Sequence, residues 1–141
     1  MPGYPIDLIH DPETRAILVE FPDIPFAHSV GDSEEEALLN AADALESALE
    51  IYLEENRAAP LPSGVAPGQF KVRLPALITA KVLLWNEMQA QGVDKAELAR
   101  RLGWPLLEVE GLFHLRDAMR IERVEMALAG LGRYLEIGLA A

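Results

Sequence analysis

The segment from Glu20 to Asn40, EFPDIPFAHSVGDSEEEALLN, restricts the fold more than any other part of the chain. Pro22 and Pro25 lack amide hydrogens and bias the residue before each toward extended geometry. Phe21-Pro22-Asp23-Ile24-Pro25 therefore cannot lie inside a helix and has to turn. Further on, Ser33 followed by Glu34, Glu35 and Glu36 has the form of a capping box. The hydroxyl accepts from the Glu36 amide, the Glu36 carboxylate reaches back toward Ser33, and acids in a first helical turn suit the helix dipole. Strand, turn, short strand and helix start must follow one another within this one stretch.

The flanks fit that frame. Tyr4–His10 and Arg15–Phe21 are rich in Ile, Leu and Val and are separated by the turn formers Asp11-Pro12-Glu13-Thr14, so they read as a hairpin. Ile17, Val19 and Phe21 alternate with Ala16, Leu18 and Glu20, which places one apolar face toward a core. His28–Val30 is expected as a third strand. From Glu34 to about Glu55, Leu38, Ala41, Leu45, Ala48, Leu49 and Tyr52 recur at steps of three and four, predicting an amphipathic helix about 30 Å long. A Pro/Gly-rich connector covers about 57–68, and Gln69–Leu74, with Phe70, Val72 and Leu74 alternating against Lys71 and Arg73, is expected to return to the sheet. The fold class is α+β: residues 1–75 form a small sheet of three strands, a helix and a returning strand, and residues 76–141 form an all-α unit.

Phe21 to Asp23, Pro25, Gly31-Asp32-Ser33, Glu35-Glu36-Ala37-Leu38 and Asn40-Ala41 together resemble the pattern of the HicB antitoxins. Leu61-Pro62-Ser63, Leu74-Pro75-Ala76 and Ala80-Lys81-Val82 extend the match over most of the chain. Phe26 and Ala27 stand where that family usually has glycine and cysteine. The resemblance implies a truncated ribonuclease H-like N-terminal domain without catalytic activity. That domain would bind a HicA-like ribonuclease toxin and occlude its RNA-binding surface. In the subfamily that this chain resembles through Glu136, a C-terminal helix-turn-helix domain represses the operon.

After Pro75, Ala76–Gln91 carries Leu77, Ala80, Leu84 and Met88 on one stripe and ends at Gly92. Asp94 caps the next helix, with Glu97 three residues on as its box partner. In DKAELARRLGWPLLEVEGLFHL, Ala99, Gly103 and Val109, with Leu98, Leu102 and Leu112, have the small-residue spacing of a helix-turn-helix, whose turn favours a glycine. A recognition helix from about Pro105 to Leu115 would present Pro105, Leu106, Leu107, Glu110, Gly111 and His114 to a groove. These are poor base readers. The cations Lys95, Arg100, Arg101, Arg116, Arg120 and Arg123 around it suit phosphate contacts instead. Arg120–Leu131 is expected as a closing helix. Arg133–Ile137 is expected as a short strand that pairs with its copy, giving a homodimer or higher homo-oligomer.

The formal net charge of −11 is unevenly spread. Residues 1–59 hold 14 acidic and 2 basic residues, and residues 60–141 hold 9 acidic and 10 basic. An acidic N-terminal half repels nucleic acid and attracts a basic protein, which is expected against the acidic helix and the adjoining sheet surface, with Asp23, Asp32, Glu46, Glu50 and Glu54 as the candidate toxin contacts. Asp7, Asp11, Glu13, Glu20, Asp23 and Asp32 raise the idea of a metal-dependent nuclease, but turn and cap roles account for them. His10, His28 and His114 are scattered, cysteine is absent, and no nucleophile elbow or phosphate loop occurs, so neither enzyme activity, metal nor cofactor is expected. No stretch is long and apolar enough to span a bilayer, which suggests a cytoplasmic protein without membrane contact. The alternative is a stand-alone helix-turn-helix transcriptional regulator with no toxin partner.

Overall fold

In the computed structural model, which describes residues 1–140, the chain divides into two compact units, Met1–Pro75 and Ala76–Ala141. The first contains β1 (Tyr4–His10), β2 (Ile17–Glu20), β3 (His28–Gly31), α1 (Glu34–Glu54) and β4 (Phe70–Val72). Its sheet is antiparallel throughout, in the order β3-β2-β1-β4. The second contains α2 (Ala76–Gln91), α3 (Lys95–Leu102), α4 (Leu106–Gly111) and α5 (Ile121–Ala129).

Both prolines of the constraining segment occupy the second position of a tight turn, where their fixed φ is already correct. The Ile24 amide donates to the Phe21 carbonyl at 3.1 Å, and the Ala27 amide donates to the Ile24 carbonyl at 2.9 Å. Phe21, Ile24 and Ala27 point into the core. Among described non-glycine residues the left-handed positions are Arg15 and Asn56, so Phe26 fits its turn without the conformation that favours glycine. Its ring packs on Tyr52 of α1, with centroids 5.4 Å apart.

The Ser33 hydroxyl accepts from the Glu36 amide at 3.1 Å and starts α1. Ala37, Ala41, Leu45, Ala48, Leu49, Tyr52 and Leu53 form the buried stripe, which packs on β2, β3 and β4. Ala37 thus takes the place expected for Leu38, which is half-buried. Small residues are needed there because β3 and α1 come very close. A Cβ on Gly31 would collide with the backbone nitrogen and Cα of Ala37. The Asn40 side-chain amide donates to the Val30 carbonyl at 2.8 Å and the Ser29 hydroxyl donates to the Ala37 carbonyl at 3.3 Å, which ties the edge strand to the helix. Much of the motif from Gly31 to Ala41 is thereby accounted for by the β3–α1 fit.

The connector is anchored rather than loose. The Tyr4 hydroxyl donates to the Pro60 carbonyl at 2.6 Å, the Ser63 amide donates to Asp23 Oδ2 at 2.9 Å, and Ala59 is buried. Burial, and secondarily the charge of Asp23, push the Tyr4 phenol well above its usual range. In β4 only Val72 is buried. Phe70 is exposed although its alternation suggested an inward side chain, because β4 is a three-residue edge strand.

In the second unit, the Asp94 carboxylate accepts from the Glu97 amide at 2.8 Å, and α3 stops at Gly103, whose φ of 67° is left-handed. Leu98, Val109, Leu112, Leu115 and Val124 are fully buried with Trp85 and Phe113, whose rings meet edge to face at 5.3 Å. Lys81, the one buried charged side chain among the described residues, donates from Nζ to the His114 and Asp117 carbonyls at 2.7 Å each.

Three sequence expectations change here. The helix expected to run from Pro105 to Leu115 ends at Gly111, after which the chain turns and Lys81 takes up the His114 and Asp117 carbonyls. Glu97 turns its carboxylate toward Arg100 and Arg101, the interaction that dominates its environment. Arg133–Ile137, expected as a short strand, is irregular. It is held at its start by Arg133 on Glu87 at 3.2 Å and by the Gln91 side-chain amide on the Leu131 carbonyl at 2.8 Å.

Candidate functional site

The first unit has two surfaces of interest, one on the helix and one on the sheet. On α1, Glu46, Glu50 and Glu54 follow one another at four-residue steps and so form a line along one side of the helix. Asp32 lies exposed at the other end, beyond the N-cap. The 21 residues of α1 separate it from Glu54 by about 30 Å. Asp23 is half-buried and one of its oxygens receives the Ser63 amide. The five expected toxin contacts are therefore not brought into one patch.

The sheet face that α1 leaves uncovered does bring residues together. Residues directly opposite on paired strands share a face. The register aligns Asp7 with Glu20 and Glu20 with His28, making one polar row across three strands. The Gln69 side-chain amide extends that row by donating to Asp7 Oδ1 at 3.2 Å. Two residues along, Ile9 aligns with Leu18 and Leu18 with Val30, making an apolar row beside it. These three side chains are 41%, 40% and 48% exposed. An open hollow of about 320 Å³ lies at the polar row, lined by Asp7, Glu20 and His28 together with Pro22, Pro25 and Ala27 of the turn.

Among the carboxylates that suggested a nuclease, only Asp7 and Glu20 meet. Asp11 accepts the Glu13 and Thr14 amides at 2.9 and 3.3 Å, and these backbone bonds hold its carboxyl below the usual range. That is a turn-forming role. No group of three or more His, Cys, Asp or Glu among the described residues is arranged to hold a metal ion.

In the second unit, Gly103-Trp104-Pro105 joins α3 to α4, with Leu106 and Leu107 exposed at the start of α4 and Glu110 half-buried. Leu107 is 79% exposed. Several of the surrounding cations have partners within the unit. Arg100 and Arg101 both donate to Glu97, and Arg101 also reaches the Gly130 carbonyl. Hydrogen bonds from Arg100 first, then Arg101, draw the Glu97 carboxyl down to about 2, and Arg100 is raised in return. Arg123 binds Glu108 at 2.7 Å and lies over the Trp104 ring at 4.2 Å. Lys95 lies near the Trp85 and Phe113 rings at 5.9 and 5.6 Å. The His114 ring faces Asp117 at 3.3 Å, and Arg116 and Arg120 are exposed after α4.

The polar and apolar rows were not anticipated from the sequence. The alternation in each strand was visible, but only the register shows that three alternations coincide.

Comparison with known proteins identifies the group. A family model described as the HicB-like antitoxin of bacterial toxin–antitoxin systems matches residues 3–83. Antitoxin HicB of Pseudomonas fluorescens (strain Pf0-1) is 42% identical over 134 residues, covering 94% of this chain and 91% of that protein. Antitoxin HicB 2 of Photorhabdus laumondii is 42% identical, covering 95% and 94%. Antitoxin HicB of Escherichia coli (strain K12) is 37% identical, covering 95% and 96%. The chain belongs to the HicB-like antitoxin family. No helix among the described residues is long and apolar enough to cross a membrane.

Proposed function

We propose that this chain is the antitoxin of a toxin–antitoxin operon. In this reading Met1–Pro75 binds a small basic ribonuclease toxin of the HicA kind and covers its RNA-binding surface in the cytoplasm. Ala76–Ala141 binds the operon's own operator as a dimer and represses it. The observation that carries the reading is similarity to proteins named Antitoxin HicB along nearly the whole of both chains. Residues 1–75 carry 14 acidic and 4 basic side chains, which is the sign a basic, RNA-binding protein would meet favourably.

Asp23, Asp32, Glu46, Glu50 and Glu54 are spread over the unit. They act chiefly through their summed field, raising the rate at which a cationic toxin arrives. In the helical unit, α3, its glycine turn and α4 act as a helix-turn-helix. Lys95, Arg100, Arg101, Arg116, Arg120 and Arg123 contact phosphates. Leu106 and Leu107 touch thymine methyls at the N-terminal end of α4, with Glu110 and His114 beside them. The tail after Gly132 pairs with its copy and sets the spacing of two half-sites.

The test is co-expression with the short basic reading frame adjoining this gene. Co-purification of its product and loss of its ribonuclease activity in the complex are expected. Absence of such a frame, or no complex with its product, contradicts the antitoxin reading. A second reading of the helical unit, contact with protein instead of DNA, is favoured by the exposure of Leu107 and by the internal partners of Arg100, Arg101 and Arg123. A gel shift on the upstream promoter at low salt separates the two, since only an operator binder retards that fragment.

A further inference from the structure

We propose that the uncovered face of the sheet, and not the acidic line on α1, is where the toxin docks. The proposal rests on the antitoxin reading and adds the surface. Across β1, β2 and β3, Ile9, Leu18 and Val30 form an exposed apolar row about 10 Å wide, and Asp7, Glu20 and His28 form the row beside it. Aligned apolar side chains rimmed by polar ones mark a contact surface more than scattered exposed residues do.

The charges select the occupant. Two carboxylates, Asp7 and Glu20, stand directly opposite each other and line the open hollow that the proline turn walls off. A lysine or arginine entering that hollow meets both, while an aliphatic side chain next to it covers Leu18. A second copy of this chain docked with the Asp7–Glu20 row on the two-fold axis would bring acid against acid, which costs binding energy. A cationic protein surface with an apolar strip fits without that penalty. The acidic line on α1 then serves arrival, and the sheet face serves residence, because charges near an interface tune association while desolvated contacts tune dissociation.

The test uses the full chain and the product of the adjoining basic reading frame, inactivated so that it can be purified, in isothermal titration. Leu18→Lys combined with Val30→Lys places cations on the face at partly exposed positions. Ile51→Lys makes the same change on α1, where the side chain has similar exposure of 39%. The double variant is expected to weaken binding by about 100-fold and Ile51→Lys by less than about threefold. Equal affinities for the double variant and the wild type, or an equal loss in Ile51→Lys, overturn the proposal. If the double variant melts early, Leu18→Thr with Val30→Thr, which suit a strand, replaces it under the same comparison. Failure of the wild-type chain to bind overturns the antitoxin reading itself. A wild-type chain that self-associates through this face, and loses that association in the double variant, assigns the surface to a second copy and also overturns the proposal.

Discussion

In Met1–Pro75 the carboxylates stand at turns, at the helix start, along one side of α1 and on the open sheet face. In Ala76–Ala141 the arginines Arg100, Arg101, Arg123 and Arg133 are held by Glu97, Glu108 and Glu87 of the same unit. The first unit carries a net excess of acid, whereas in the second much of the cationic charge is engaged by acids of the same unit. Charge counts made from the sequence treat both alike. For the second unit they overstate what a phosphate backbone would meet, because each such arginine must give up a local partner before it serves DNA.

Gly31→Ala should have the largest effect on this contrast. The added methyl meets the Ala37 backbone, which cannot swing aside, so the sheet unit should lose about 3 kcal/mol. Both tryptophans, Trp85 and Trp104, lie in the helical unit, so their fluorescence should still unfold at its original denaturant midpoint while the far-ultraviolet circular dichroism transition moves. A coincident shift of both signals would mean that the units unfold together. Lys81→Met is the mirror experiment. It leaves the His114 and Asp117 carbonyls without their buried donor, and the tryptophan transition should lose roughly 2 kcal/mol. Ser33→Ala removes the cap of α1 and should cost the sheet unit about 1 kcal/mol by the same dichroism assay.

The smallest effect concerns pH. The Glu97 carboxyl is lowered in the folded state from 4.5 to about 2. Its stabilisation is therefore complete above the unfolded value and is lost as pH falls toward the folded one. The tryptophan melting temperature should show a component that declines from about pH 4.5 to about 2 in the wild type and is missing in Glu97→Gln. Identical pH profiles would show that the Glu97 pairs contribute nothing measurable, as many exposed ion pairs do.

Local chemistry made a good part of this fold legible. The proline turns, the Ser33 and Asp94 caps, the Gly103 stop and the inward face of Ile17, Val19 and Phe21 all follow from rules acting over a few residues. Features set by distant partners were not legible. The end of α4 depends on Lys81, thirty-three residues from His114. The stripe of α1 includes Ala37 because β3 approaches so closely. Phe26 keeps ordinary backbone angles in its turn, and the packing of its ring on Tyr52 of α1 is a distant contact that the local pattern does not show. The row of Ile9, Leu18 and Val30 exists only once three strands are in register. The charge of Asp23, Asp32, Glu46, Glu50 and Glu54 is visible along the chain, whereas the adjacency that defines the sheet surface is not.

In the proposed reading the acidic sheet unit is the toxin-binding body and the helical unit stays available for the operator. Hydrogen–deuterium exchange of the full chain with and without the adjoining basic protein tests this most directly. Added protection is predicted within Tyr4–Gly31, with none between Lys95 and Arg123. Protection confined to the helical unit, with Tyr4–Gly31 unchanged, would contradict it.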